Sequence, residues 1–179
     1  MNVLTSCECV DNKLQLRYNY VVNTSLTKSC SFFGHSKLND KITIEKTLFE
    51  LIESLIVDKG YRLFYFGGFG EFDDLCYKVV SKLKETYGYI KRVFCVVEEK
   101  HKIFSKRPKW LKEEDYEDFV YFDLKYNYWY TRIYFRNCEI IKKSDFTIFF
   151  VTNKGESGAY KALSYAMKTK KEFVNIGQI

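Results

Sequence analysis

The chain has 179 residues, of which 46% are hydrophobic and 18% aromatic, and 29 Lys and Arg residues against 23 Asp and Glu residues give a net charge of +6. Its single proline and 16 phenylalanines argue against intrinsic disorder and against two domains joined by a Pro-rich linker. No apolar run approaches the roughly 18 residues of a membrane-spanning helix, and the first residues lack a signal-peptide pattern. We therefore expect one globular domain in the cytoplasm, without membrane contact.

The six cysteines are scattered along the chain, which is typical of free thiols in a reducing compartment. Only Cys7 and Cys9 are close together, and a Cys-x-Cys pair with no other Cys or His nearby is a poor zinc site. We predict neither a metal nor a cofactor. Because the positive charges are interspersed with acidic residues and form no basic stripe, we expect no nucleic-acid partner.

Residues 1–27 form the first segment of the chain. Apolar and polar residues alternate there after the turn signal Asp11-Asn12. This pattern predicts a β-hairpin that extends the edge of the sheet. Residues 28–179 form the main domain in this interpretation.

From residue 28 onward, short apolar runs alternate with segments of helical periodicity. The apolar runs predict strands over 30–33, 61–66, 92–97, 146–151 and 173–176. The periodic segments predict helices over 44–56, 72–83, 134–141 and 159–170. This alternation predicts an α/β fold with a Rossmann-like, mostly parallel sheet and helices on both faces. Residues 98–131 break the rhythm, and we expect an irregular lid or crossover there.

Three glycine-containing turns follow predicted strands: Gly34-His35-Ser36, the segment 67–74 and the segment 153–159. The carboxyl ends of parallel strands meet at one edge of a sheet, so we expect the three turns to border one crevice. Glycine lets the backbone approach an anion closely, and the helix after each turn places partial positive charge there. The turns therefore suit contacts with phosphate or ribose.

Four motifs, taken in order, resemble the signatures of the SLOG superfamily. They are Cys30-Ser31-Phe32-Phe33-Gly34-His35, Gly67-Gly68-Phe69-Gly70-Glu71-Phe72-Asp73, Arg136-Asn137 followed by Ile141 and Ser144-Asp145, and Ser157-Gly158-Ala159. SLOG joins the Smf DNA-processing proteins and the Lonely Guy phosphoribohydrolases, and over about residues 28–176 the chain is most similar to the small YpsA-like bacterial branch. The resemblance implies a Rossmann-like domain that binds a nucleotide-derived ligand such as ADP-ribose or a nucleoside phosphate, often as a homo-oligomer such as a dimer.

The turns and the resemblance together define a candidate ligand-binding set. It comprises Gly34, His35, Gly67, Gly68, Phe69, Gly70, Glu71, Asp73, Arg136, Asn137, Glu156, Ser157 and Gly158. Several of these residues have structural alternatives. His35 and Ser157 either contact the ligand or cap local structure, and Asp73 caps the second helix or also binds a ribose hydroxyl. Arg136 either anchors a phosphate or forms a surface ion pair.

Catalysis is the alternative to binding or sensing. An N-glycosidase acting on a nucleoside monophosphate would use Asp74 or Asp73 as its acidic group. Lonely Guy hydrolases carry a Pro-Gly-Gly-x-Gly-Thr-x-x-Glu turn, whereas this chain has Phe66 for the proline, Glu71 for the threonine and Asp74 for the catalytic glutamate. These departures favour binding over hydrolysis. An oligomeric interaction protein without a ligand is the remaining alternative.

Aromatic residues precede the Arg136-Asn137 motif: Tyr126, Tyr128, Trp129, Tyr130 and Tyr134. They either stack on a nucleobase or pack in the core or in a dimer interface, and packing is the commoner use of such residues.

Overall fold

The computed structural model describes residues 27–97, 115–122, 124 and 128–177. The predicted N-terminal hairpin and most of the segment 98–131 lie outside the described residues. The strands are β1 (Lys28–Gly34), β2 (Tyr61–Phe66), β3 (Lys91–Val96), β4 (Asp118–Tyr121), β5 (Phe146–Phe150) and β6 (Phe173–Asn175). The helices are α1 (Lys41–Val57), α2 (Glu71–Thr86), α3 (Trp129–Lys143) and α4 (Gly158–Lys168).

The six strands form one sheet in the order β4-β3-β2-β1-β5-β6. Every pairing is parallel, so the predicted α/β, Rossmann-like architecture is confirmed. The chain builds the sheet outward from β1 to β4 and then returns to the other side of β1 with β5 and β6. Gly34 pairs with Phe150 where β1 and β5 end side by side. Strand order reverses at this point, and open parallel sheets leave a crevice there.

Two apolar layers cover the faces of the sheet. On one face, α1 and α2 pack through residues such as Leu48 and Val79 against Phe32. On the other face, α3 and α4 pack through residues such as Ile140 against Phe33. Successive strand residues point to opposite faces, so burial of both faces produces the continuous apolar runs seen in the sequence. Among the described helices, none is long and apolar enough to cross a membrane.

Local capping explains where the helices begin. The Asp40 carboxylate accepts the Thr43 amide at 3.1 Å ahead of α1, and the Ser157 hydroxyl accepts the Tyr160 amide at 3.1 Å ahead of α4. By contrast, α2 follows Gly70, which has φ +91° and provides no side-chain cap. The carboxylates in the first turn of α2 are therefore available for other contacts.

β4 is the strand that the sequence pattern does not predict. It has only four residues and lies at the sheet edge, partly exposed. An ion pair holds the chain ahead of it, because the Arg92 guanidinium contacts Glu117 at 2.6 Å. The same guanidinium also donates to the Tyr77 hydroxyl at 3.0 Å and to the Ser81 hydroxyl at 2.9 Å. These polar contacts hold the chain ahead of the strand, while Phe119 and Val120 pack against the apolar layers on opposite faces of the sheet.

Candidate ligand-binding site at the strand ends

A cavity of 310 Å³ lies at the carboxyl ends of β1 and β2, between these strands, α3 and the first turn of α4. It brings together most of the predicted ligand-binding residues: Gly34, His35, Gly67, Phe69, Gly70, Asp73, Arg136, Asn137, Ser157 and Gly158. Three others do not line it. Gly68 belongs to the same turn as Gly67, Glu71 contacts the start of α1, and Glu156 lines a neighbouring groove.

The turn after β2 is held by two charged side chains. The amides of Gly67 and Gly68 donate to the Asp73 carboxylate at 3.3 and 2.5 Å, and Arg136 Nη1 donates to the Gly67 carbonyl at 2.9 Å. These glycine amides are therefore bonded within the chain. A Cβ at Gly67 would lie 2.6 Å from Arg136 Nη2, so a larger residue there would displace this guanidinium.

Arg136 is buried, with 3% of its surface exposed. Its Nε and Nη2 groups donate to Asn137 Oδ1 at 3.3 and 3.0 Å, and its guanidinium lies 5.0 Å from the centre of the Phe69 ring. The structure thus places Arg136 in the cavity wall, where it also positions the glycine turn. It is not the solvated surface ion pair that the sequence left as an alternative.

Asp73 is the buried acid of the cavity. Burial raises its pKa to about 6, although the nearby Arg136 charge and the bonds from the Gly68 and Gly67 amides oppose this rise. At neutral pH the ionised carboxylate offsets the positive charge of Arg136. The side-chain charges around the turn therefore nearly balance.

The first turn of α4 forms the opposite wall. Ser157, Gly158 and Ala159 line the cavity there. Amides in the first turn of a helix have no partner within the helix, and they carry its positive dipole end. A Cβ on Gly158 would meet no atom within 4 Å, so open space lies in front of this wall. This wall suits an anionic group.

His35 joins the ends of β1 and β5. Its Nε2 accepts the Thr152 amide at 3.0 Å, and its own amide donates to the Phe150 carbonyl at 3.3 Å. The ring lines the cavity as well. His35 therefore makes the local capping contact that the sequence offers as an alternative to ligand binding, and it also lies at the candidate site.

The remaining acids of the second turn face away from the cavity. Glu71 accepts the Leu38 amide at 2.8 Å and pairs with Lys41 at 3.0 Å, and the Leu38 bond is the main reason that its pKa lies below its ordinary value. Asp74 is partly exposed and does not line the cavity. Of the two candidate catalytic carboxylates, only Asp73 lies at the cavity.

A larger groove of 1130 Å³ continues from the cavity between α3 and α4. The cavity and the groove share four lining residues, and the groove adds aromatic side chains from both helices: Tyr130, Tyr134, Tyr160 and Tyr165. Tyr130 also stacks on Tyr128 with 5.5 Å between ring centres, and these two residues are 71% and 65% exposed. These two tyrosines are therefore not core residues. Tyr160 and Tyr165 could not be singled out from the sequence, because nothing in the α4 pattern separates groove residues from core residues.

Solved structures with the same fold were found by structural comparison. A protein described as TM1055 is 17% identical with a TM-score of 0.53, and the match covers 82% of this chain and 72% of that one. DNA processing protein A from Streptococcus pneumoniae is 13% identical with a TM-score of 0.54, covering 82% of this chain and 49% of that one, so this chain spans about half its length.

DNA processing protein A from Helicobacter pylori is 14% identical with a TM-score of 0.54, and the match covers 91% of this chain and 67% of that one. At these identities the shared property is the Rossmann-like fold. No protein-family profile matches the sequence. No curated protein matches it either.

The Helicobacter pylori structure is described as showing a single-stranded DNA binding mode. A protein containing this fold therefore binds nucleic acid, and the expectation that nucleic acid is not a partner is wrong. The expectation rests on the absence of a basic stripe, which is a feature of duplex-binding surfaces. A missing basic stripe argues against a duplex-binding surface, whereas single strands are bound by grooves that combine cations with stacking aromatic rings.

Proposed function

We propose that this chain is a SLOG-type domain that binds the phosphate-bearing end of a nucleotide-derived ligand in the cavity beside α4. The observation that carries the proposal is the convergence of the first turn of α4 and the Arg136-Asn137 pair on one cavity, next to the point where strand order reverses. The ordered motifs of the sequence support the SLOG assignment. The chain also shares its fold with DNA processing protein A. This likeness supports the SLOG assignment further, because the SLOG superfamily includes DNA-processing proteins.

Several hydrogen-bond donors face this cavity. Ser157 accepts the Tyr160 amide through its oxygen and keeps its own hydroxyl proton for a ligand. The amides of Gly158 and Ala159 lie in the first helical turn beside it. Asn137 Oδ1 is occupied by Arg136, so the Asn137 amide presents its NH₂ group as a donor. A phosphate fits this set because it offers only acceptor oxygens.

The geometry favours binding over N-glycosidic hydrolysis. Of the described residues that line the cavity, Asp73 is the one carboxylate, and both of its oxygens accept backbone amides. A carboxylate held in this way is poorly placed to activate water or to stabilise a developing positive charge on a sugar. The hydrogen bonds of Asp73 therefore hold the glycine turn in place, and the donors on α4 are the groups that would bind the ligand.

Thermal unfolding with added ligand tests this proposal. Adenosine monophosphate and ADP-ribose, each at about 100 times its dissociation constant, should stabilise the chain by about 2.7 kcal/mol. Gly158→Val fills the open space in front of α4 and should remove this stabilisation. Gly88→Val is the matched control, because a Cβ at this exposed glycine also meets no atom within 4 Å. The proposal fails if neither ligand raises the melting temperature of the unmodified chain, or if both glycine variants respond equally to ligand.

Single-stranded nucleic acid binding is the second candidate function. The observation that favours it is the stacked, exposed pair Tyr128 and Tyr130 beside a groove that also carries Lys161 and Lys168. Aromatic rings stack on bases of any sequence, and lysines follow the backbone phosphates. A fluorescent oligothymidine should then bind with an affinity that falls steeply with salt and falls again in Tyr130→Ala. Anisotropy that does not change up to high micromolar protein would exclude this candidate.

A further inference from the structure

We propose that a second cavity, on the α1 side of the sheet, binds a neutral polyhydroxylated ligand such as a hexose or a disaccharide. This cavity measures 580 Å³ and lies between the start of α1 and the carboxyl ends of β5 and β6. Among the described residues, His35 alone lines both this cavity and the cavity beside α4. The two spaces are therefore separate, and the proposal does not depend on the function proposed for the first one.

The frame of the second cavity is fixed by hydrogen bonds within the chain. The Asn175 side chain joins the ends of β5 and β6, because its Oδ1 accepts the Val151 amide and its Nδ2 donates to the Val151 carbonyl, both at 2.9 Å. Gly177 lies close behind, since a Cβ there would be 2.6 Å from the Val151 backbone. On the opposite side, the Asp40 carboxylate caps α1. A ligand would therefore meet walls that are already formed, which lowers the entropic cost of binding.

Two threonine hydroxyls at the start of α1 present acceptors to this cavity. The Thr47 hydroxyl donates to the Thr43 carbonyl at 3.0 Å. The Thr43 hydroxyl donates to Asp40, and this bond is the main reason that the pKa of Asp40 lies below its ordinary value. Because their protons are used within the chain, both hydroxyls offer a ligand only oxygen lone pairs. A phosphate has only acceptor atoms and would be poorly bound there, whereas the hydroxyl groups of a sugar can donate.

The other polar groups of the cavity favour a ligand without net charge. Asn39 is exposed at the rim, and its amide carries both donors and an acceptor. Lys37 and Asp40, which also line the cavity, carry opposite charges. A molecule that both donates and accepts hydrogen bonds fits this set better than an anion or a cation.

Three apolar side chains complete the lining: Ile44, Phe150 and Ile176. The Phe150 ring is held by Phe72, on which it stacks with 5.6 Å between ring centres, and by the edge-on His35 ring at 6.1 Å. A sugar ring has apolar C–H groups that can pack on such side chains while its hydroxyl groups reach the polar ones. Apolar walls with a few polar groups, and a volume between about 300 and 1,000 Å³, are typical of small-molecule sites.

Saturation-transfer NMR and calorimetry with sugars of known structure test this proposal. The neutral probes are glucose, galactose, sucrose and maltose, and glucuronate is a charged counterpart of glucose. Thermal unfolding is unsuitable, because sugars stabilise folded proteins by being excluded from their surface.

The variants place one bulky side chain inside or outside the cavity. Thr47→Trp blocks the cavity from an exposed helical position. Thr86→Trp is the matched control, since Thr86 is an exposed threonine on α2 outside the cavity. Asn39→Ala removes only an exposed loop side chain. Circular dichroism establishes that each variant is folded.

At least one neutral sugar should bind with a dissociation constant of about 1 mM or lower, and glucuronate should bind more weakly than that sugar. Thr47→Trp should abolish this binding, and Thr86→Trp should retain it. Asn39→Ala should weaken it about two- to ten-fold, the net effect of one lost hydrogen bond. The proposal is wrong if no neutral sugar binds the unmodified chain, if glucuronate binds as tightly as the best neutral sugar, or if both tryptophan variants bind sugar equally.

Discussion

The buried Asp73 carboxylate should make the chain more stable as the pH falls from 7 to 5. Its pKa in the folded state is about 6, raised mainly by burial, against 3.8 as its ordinary value. The folded state therefore takes up a proton in a pH range where the unfolded state does not. Stability from this group is fully present below the unfolded pKa and is lost as the pH rises through 6.

The size of the effect follows from the two pKa values. The full difference of about two units corresponds to about 3 kcal/mol between acidic and neutral pH. Between pH 7 and pH 5 alone, proton linkage gives about 1.3 kcal/mol of added stability. Below about pH 4.5, Glu117 works in the opposite direction, because its bonds from Arg92 lower its pKa despite the opposing effect of burial. The range from pH 5 to 7 therefore avoids this opposing contribution of Glu117.

Urea unfolding followed by circular dichroism at pH 5, 6 and 7 measures this contribution. Asp73→Asn cannot titrate, so its stability should lack the rise of about 1.3 kcal/mol that the unmodified chain shows toward pH 5. Comparing the two proteins cancels the titration of every group that the substitution leaves unchanged. Asp74→Asn, at the adjacent and partly exposed position, is the control and should retain most of the rise. Identical pH profiles for the unmodified chain and Asp73→Asn would show that the pKa of the Asp73 carboxyl is not raised in the folded state.

Three further outcomes follow from particular contacts. Gly34→Ala places a Cβ 2.4 Å from the facing phenylalanine ring of α2 and should lower the free energy of unfolding by about 1 to 3 kcal/mol in urea, whereas Gly88→Ala, with open space around it, should change it little. Glu117→Gln removes the charged partner that Arg92 contacts at 2.6 Å. The free energy of unfolding in urea should fall by about 1.5 to 3 kcal/mol, and an unchanged unfolding midpoint would contradict the role assigned to this pair. ADP-ribose, whose pyrophosphate keeps its charge, should bind more tightly at pH 5.5 than at pH 7.5 in calorimetry, because protonation of Asp73 removes a negative charge from the cavity.

Most of the fold could be predicted because both faces of the sheet are buried. Burial on both faces makes strand segments such as residues 63–66 of β2 continuous apolar runs, and the one-sided helices between the strands keep a clear period. The same reasoning fails for Asp118–Tyr121. That strand is short and lies at the edge of the sheet. The contact between Arg92 and Glu117 that holds the chain ahead of it joins residues 25 apart, so it leaves no local pattern in the sequence.

The sequence predicts where the candidate site lies on the sheet, but it does not predict how the charged side chains of the site are oriented. Glycines after strands mark the carboxyl edge of a parallel sheet, so the meeting of Gly34, Gly67 and Gly158 at one cavity follows from topology. The directions of the charged side chains do not. Asp73 turns back to the glycine amides, beside the charge of the distant Arg136. Glu71 turns instead to Leu38 and Lys41 at the start of α1, about 30 residues earlier in the chain.

The amides of the glycine turn are bonded to Asp73, so other groups of the site would have to bind an anion. In many phosphate sites, glycine amides after a strand contact the anion directly. Here Gly67 and Gly68 donate to Asp73, whose charge also offsets that of Arg136. On the proposed function, recognition of the phosphate therefore falls to the first turn of α4, whose dipole and amides give only part of the energy of a full charge pair. The donors beside that turn, the Ser157 hydroxyl and the Asn137 amide, would then have to provide the remaining affinity, because the glycine amides are already bonded to Asp73.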